Sequence, residues 1–71
     1  MDIRTASRSF QGFDASLSIT LGDGTQVLSR TAFEIREEIL ATTDTDSAAL
    51  AILEAELALA EGAEAIIASA R

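Results

Sequence analysis

Residues 15–34 read ASLSITLGDGTQVLSRTAFE, and the fold turns on how they are parsed. From Ala15 to Leu21, apolar and hydroxyl side chains alternate. Leu17, Ile19 and Leu21 share one face and Ser16, Ser18 and Thr20 the other, the period-two pattern of a strand with one buried side. Gly22-Asp23-Gly24 supplies the chemistry of a tight hairpin turn, and Thr25 to Ser29 is the expected return strand. Thr31-Ala32-Phe33-Glu34 then matches a capping box: the Thr31 hydroxyl accepts from the Glu34 amide, and the Glu34 carboxylate reaches back to the Thr31 amide. A hairpin running directly into a capped helix predicts an α+β domain.

Outward from this stretch, residues 2–10 alternate loosely. Ile3, Thr5, Ser7 and Ser9 fall on one parity and Arg4, Ala6, Arg8 and Phe10 on the other, as in an edge strand, with Gln11-Gly12-Phe13-Asp14 as the turn that follows. Arg4 and Arg8 read as blunting that edge or pairing with acidic helices, ahead of forming a small basic patch. After Thr31 a helix is expected to about Ala41, with Ala32, Ile35, Ile39 and Leu40 on its buried stripe, Phe33 bordering it, and Glu34, Glu37 and Glu38 facing water. Residues 42–47, TTDTDS, break it, and Thr43, Asp44 or Asp46 is the next N-cap. Ser47 to Ala70 is rich in Ala, Leu and Glu and strongly helical by propensity. The expected architecture is a short antiparallel sheet of two to three strands over residues 2–30, followed by two or three helices over residues 31–71, in one small domain spanning residues 1–71.

The last helix raises a question of length. Uninterrupted, it would run about 36 Å, whereas a compact domain of this size is about 28 Å across. Either Gly62 breaks it, acting as a C-terminal cap, or another subunit covers the surplus. Its apolar residues also form two groups. Leu50, Leu53, Leu57 and Ile67 cluster on one side, and Ile52, Leu59 and Ile66 on another, with an Ala/Gly strip mostly between them. Two stripes imply burial on two sides. Leu50, Leu53, Leu57, Leu59, Ile66 and Ile67 are therefore candidates for a helix or dimer interface, with complete internal wrapping by a small α+β domain as the alternative reading.

Composition narrows the function. The 71 residues carry 12 acids against 5 arginines, a net charge of −7, with no Lys, His, Cys, Pro, Trp or Tyr. Residues 1–30 hold three acids and three arginines. Residues 31–71 hold nine acids against Arg36 and Arg71, so the whole net charge belongs to the second half. Apolar residues make up 48 %, too many for a disordered acidic chain. The acid surplus argues against direct binding to nucleic-acid phosphates, and Glu54, Glu56, Glu61 and Glu64 argue against a membrane span in the most apolar region. Met1-Asp2-Ile3-Arg4 leads into no apolar run, so no signal peptide is expected, and the lack of Cys fits a cytoplasmic location.

Catalytic chemistry finds little to work with. Ser16 and Ser18 have no His or Lys base anywhere in the chain. Asp44 and Asp46, and Glu37 and Glu38, are the tightest carboxylate pairs. The aspartates lie in a Thr-rich polar loop where solvent keeps both ionised, so they read as caps ahead of a hard-cation site or an acid–base pair. A calcium loop needs a central glycine that this loop lacks. Gly22-Asp23-Gly24 has no Lys and places an acid where an anion would sit, so it is no phosphate cradle. The expectation is no enzyme, no cofactor and no metal.

What remains is the acidic half. Glu37, Glu38, Asp44, Asp46, Glu54, Glu56, Glu61 and Glu64 are the candidate partner-binding residues: a negative face that meets a basic, nucleic-acid-binding protein or complex and imitates phosphates. The layout, Leu17-Ser18-Ile19-Thr20-Leu21-Gly22-Asp23-Gly24 in a short sheet followed by Glu-rich helices from Glu34 to Glu64 in a tiny acidic Cys-free chain, resembles phage-encoded inhibitors of CRISPR effector complexes. The likeness is one of size, charge and order, with no motif behind it. It implies a bacterial-cytoplasm setting and a Cas protein or complex as partner. The alternative is a homodimeric helical module with a structural or regulatory role, in which the two-stripe helix carries the function and the glutamates set orientation.

Overall fold

The computed structural model describes residues 2–12, 14–42 and 45–69, with Gln11 described by its backbone alone. Three strands, β1 (Ile3–Gln11), β2 (Asp14–Leu21) and β3 (Gln26–Arg30), precede two helices, α1 (Ala32–Ala41) and α2 (Ser47–Ser69). The sheet is antiparallel in the order β1-β2-β3, so β1 and β3 are both edges. The expected α+β architecture is present in this form.

The turns follow from their residues. Between β2 and β3 the Leu21 amide donates to the Thr25 carbonyl at 2.8 Å and the Gly24 amide to the Leu21 carbonyl at 2.9 Å, with Gly24 at φ +89°. This is a three-residue loop closed by a glycine in the left-handed region. The Asp23 carboxylate accepts from the Thr25 amide at 2.9 Å, and this bond holds its pKa below the usual 3.8. At the β1–β2 reversal Gln11 pairs with Asp14 and Gly12 has φ +64°; Phe13, part of the expected turn, lies outside the described residues.

Pairing fixes the two faces. Ala6, Arg8 and Phe10 of β1 sit opposite Ile19, Leu17 and Ala15, and Val27 and Ser29 of β3 lie across from Ile19 and Leu17. That face receives the helices. The other carries Thr5, Ser7 and Ser9, then Ser16, Ser18 and Thr20, then Gln26 and Leu28, and Ser9 and Ser16 share a hydroxyl contact of 3.2 Å across it. Ile3 departs from the expected parity. The register shifts between Ile3 and Thr5, so Ile3 pairs with Leu21 instead of standing with Thr5 and Ser7. This irregularity returns Ile3 to the helix side, where it packs against the core.

Both helix starts are capped by the side chains expected of them. Thr31 has extended backbone and its hydroxyl accepts from the Glu34 amide at 3.4 Å. The return arm of the box is not formed: Glu34 stays exposed, with no bond among the described residues. Asp46 caps α2, its carboxylate accepting from the Ala49 amide at 3.2 Å; Thr43 and Asp44, the other candidate caps, are outside the described residues. Helix α2 runs unbroken through Gly62, which is therefore not a C-terminal cap. A Cβ at Gly62 would stand 3.2 Å from Ile3 Cδ1, so the glycine lets the helix approach β1 closely. The 23 residues of α2, about 34 Å of helix, fit within the molecule's longest dimension of 38 Å.

The core comprises Leu17, Ile19, Ala32, Ile35, Leu53, Ala60 and Ala63, with Ile3, Ala6, Leu21, Ile39, Leu57, Leu59 and Ile67 packed around it. Among the described residues, Leu17, Ile19 and Ile35 are the large side chains fully shut from solvent. On α1 one expectation is overturned: Leu40 is 80 % exposed. Taking about 100° per residue, Leu40 projects roughly 100° away from the direction set by Ala32, Ile35 and Ile39 and falls in line with Phe33.

Candidate functional site: the acidic helical half

The carboxylates divide into those that hold the domain together and those that do not. Arg30, at the end of β3, donates to both oxygens of Glu38 on α1, at 2.9 and 3.3 Å, and to Glu56 on α2 at 2.9 Å. Its pKa rises because Glu38 and Glu56 both favour its charged form, Glu38 more strongly. The same Arg30 hydrogen bond holds the Glu38 carboxyl below its usual 4.5. Arg36 on α1 meets Glu61 on α2 at 2.7 Å. Arg8 on β1 meets Glu64 on α2 at 2.9 Å, the pairing with an acidic helix expected of it.

Glu64 does more than pair. Its second oxygen accepts from the Ala32 amide at 3.3 Å. That amide belongs to the first turn of α1, where backbone donors have no partner within the helix and the dipole favours an anion. One half-buried side chain thus ties β1, the start of α1 and the C-terminal part of α2 together. Because Glu64 reaches Ala32 and Glu61 reaches Arg36, α2 runs back alongside α1.

Of the eight candidate acids, Glu38, Glu56, Glu61 and Glu64 are therefore in ion pairs with arginine, and Asp46 is a cap. Glu37 and Glu54 are exposed and without an ion pair among the described residues, and Glu34 joins them. Asp44 lies outside the described residues. The unneutralised acids of the helices that remain in view are Glu34, Glu37 and Glu54.

The six candidate interface residues divide in a similar way. Leu53 is in the core, and Leu57, Leu59 and Ile67 pack against it. Leu50 and Ile66 are half-buried. Both stripes of α2 thus contribute to the domain's own interior, through Leu57 and Ile67 from one and Leu59 from the other. Ile52 is 62 % exposed.

Sequence reasoning missed the exposed apolar side chains of α1. Phe33 is 68 % exposed, and with Leu40 it makes a stripe at i and i+7, with Glu37 between them and Glu34 beside them. The signal was present in the spacing, since residues seven apart differ by only about 20° around a helix. No pocket opens among the described residues, so the candidate site is a surface. No helix among them is long and apolar enough to cross a membrane. No protein-family model, curated protein or solved structure matches this chain.

Proposed function

We propose that this chain is a non-enzymatic, acidic protein-binding inhibitor that works in the cytoplasm on a basic, nucleic-acid-binding protein or complex, in the manner of the small phage-encoded anti-CRISPR proteins it resembles. One observation carries the reading: after four arginine–carboxylate contacts are made inside the domain, Glu34, Glu37 and Glu54 still stand exposed and unneutralised on the helices. A net charge of −7 over 71 residues adds a long-range attraction toward a basic groove and repels nucleic acid itself. The paired acids make any phosphate mimicry narrower than eight carboxylates, since Glu38, Glu56, Glu61 and Glu64 already face guanidinium groups.

The homodimeric alternative draws support on α2 from the exposed Ile52 and the half-buried Leu50 and Ile66, because Leu53, Leu57, Leu59 and Ile67 are used in the domain's own packing.

The test is competition. The chain is titrated into an RNA-guided effector bound to labelled target duplex, and duplex release is followed at rising ionic strength. The expected outcome is release that weakens steeply with salt and is reduced by the combined Glu37→Gln and Glu54→Gln substitutions. Release independent of salt, or unchanged in that double variant, refutes the acidic-face reading. No release from any basic nucleic-acid-binding protein tried refutes the inhibitor reading.

A further inference from the structure

Helix α1 is an outer layer. Ala32 and Ile35 are buried, Ile39 is packed against the core, and the flank of the helix about 100° away from them meets solvent. On that side, Phe33 and Leu40 are 68 % and 80 % exposed. They are two turns apart and nearly in line, about 10 Å along the axis. Glu34 and Glu37 lie beside and between them, exposed and without ion pairs among the described residues. Scattered exposed apolar residues need no explanation. Two aligned on one short helix, with the unpaired Glu34 and Glu37 of the same helix beside them, form a pattern of anchors with a charged rim.

The helix is also held rigid at both ends. The Thr31 hydroxyl caps its start and Glu64 binds the Ala32 amide. At its end the Thr42 amide donates to the Ile39 carbonyl at 3.1 Å and the Thr42 hydroxyl to the Glu38 carbonyl at 2.8 Å. A pre-formed helix loses little conformational freedom on docking.

Resting on the binding function proposed above, we infer that the outward stripe of α1, formed by Phe33, Glu34, Glu37 and Leu40, is the docking surface, and that its partner is a protein surface with an apolar floor rimmed by arginine or lysine. Charge decides between this partner and a second copy of the chain. Two α1 stripes face to face would gather four unpaired carboxylates, Glu34 and Glu37 from each copy, into one seam. The one arginine on the helix, Arg36, is engaged by Glu61. A basic rim satisfies these carboxylates, and a second copy opposes them. The arrangement is the i, i+4, i+7 recognition of a helix laid into a groove, with a glutamate at the middle position.

The probe is a synthetic amphipathic helical peptide with a leucine stripe flanked by arginines, titrated into the isotopically labelled full chain. Wild type is expected to bind with amide shift changes concentrated in residues 32–41. Phe33→Ser with Leu40→Ser weakens binding at least about tenfold, as loss of apolar anchors does. Glu34→Gln with Glu37→Gln weakens it about fivefold and flattens its salt dependence. Ile52→Ser, exposed and outside the proposed surface, leaves it unchanged. Every substituted position is exposed, and circular dichroism confirms that each variant keeps its fold. Unchanged binding in both α1 double variants, or shift changes centred elsewhere, overturns the assignment. If Glu54→Gln alone weakens binding, the acidic-binder reading stands and the α1 surface does not. If wild type binds neither this peptide nor any basic protein, both fail. Sedimentation across a concentration series covers the second copy: a dimer dispersed by Phe33→Ser with Leu40→Ser overturns the basic-partner assignment.

Discussion

Replacing Glu64 with alanine removes two bonds at once. The contact with Arg8 is a partly exposed ion pair, its two side chains 41 % and 27 % accessible, and such a pair contributes about 0.5–1 kcal/mol. The bond from the Ala32 amide is different. Ala32 is almost fully buried, and a buried donor left without an acceptor costs about 1–2 kcal/mol. The sum is about 2 kcal/mol, a large share of the roughly 3–5 kcal/mol available to a domain of this size without disulfide or metal. The melting temperature is expected to fall by about 8–15 °C, at about 4–8 °C for each kcal/mol. Glu64→Gln separates the two contributions: its side-chain carbonyl still accepts from the Ala32 amide while the charge on Arg8 goes unpaired, so the loss is about 0.5–1 kcal/mol. Glu54→Ala, at an exposed and unpaired acid, stays within about 0.5 kcal/mol of wild type. Thermal and urea unfolding followed by circular dichroism measure all three. Equal losses for Glu64→Ala and Glu64→Gln would refute the amide-acceptor role, and wild-type stability in Glu64→Ala would refute the whole account of this residue as a tie.

Ile35→Ala empties a large, fully buried position and should cost about 3 kcal/mol, most of the roughly 3–5 kcal/mol available; a urea midpoint near wild type contradicts the core assignment. Gly62→Ala gains about 0.5–1 kcal/mol of helix propensity and gives up less than that, because the atom 3.2 Å from the new Cβ is the free end of Ile3. Gly62→Leu loses about 1–3 kcal/mol by overpacking, and the two urea midpoints should move in opposite directions. The pH dependence follows from Glu38. Its folded pKa lies below 4.5 because Arg30 favours the carboxylate. Its stabilising effect is therefore complete well above 4.5 and is lost as pH falls through the folded value. Arg30→Met should flatten that part of the acid limb, and an unchanged limb between pH 5 and 3 counts against the Arg30–Glu38 bond in solution.

The hairpin of β2 and β3, the turn at Gly24 and the Thr31 cap were legible because each rests on a local rule: alternation at Leu17 and Ile19, a glycine where φ is positive, a hydroxyl before the first turn; Asp46 was one of three caps that the sequence left open for α2. What escaped the sequence depends on the tertiary arrangement. Ile3 belongs to the wrong parity until the irregularity before Thr5 turns it inward. Gly62 resembles a helix stop until Ile3 is found against it. The acidic half looked like one continuous face, yet which carboxylates remain available depends on where Arg8, Arg30 and Arg36 reach, and those distances exist only in three dimensions. Leu40 was misassigned by its apolar character, although its position seven after Phe33 placed it on the outer side.

The packing of Gly62 against Ile3 joins the last element of the fold to the first. Each strand pairs with the next one along the chain, so the sheet is assembled from nearest neighbours, but its helix-facing side is covered only when α2 arrives. On the ribosome, Leu17 and Ile19 stay uncovered until residues near Ala60 and Gly62 have been made and have left the exit tunnel. At about 5–20 residues per second that is an interval of a few seconds in which a three-stranded sheet has one bare side and two open edges. The nascent chain is then at its most vulnerable to strand-to-strand aggregation, and the charges of Arg4 and Arg8 on the β1 edge oppose such pairing while the molecule is incomplete.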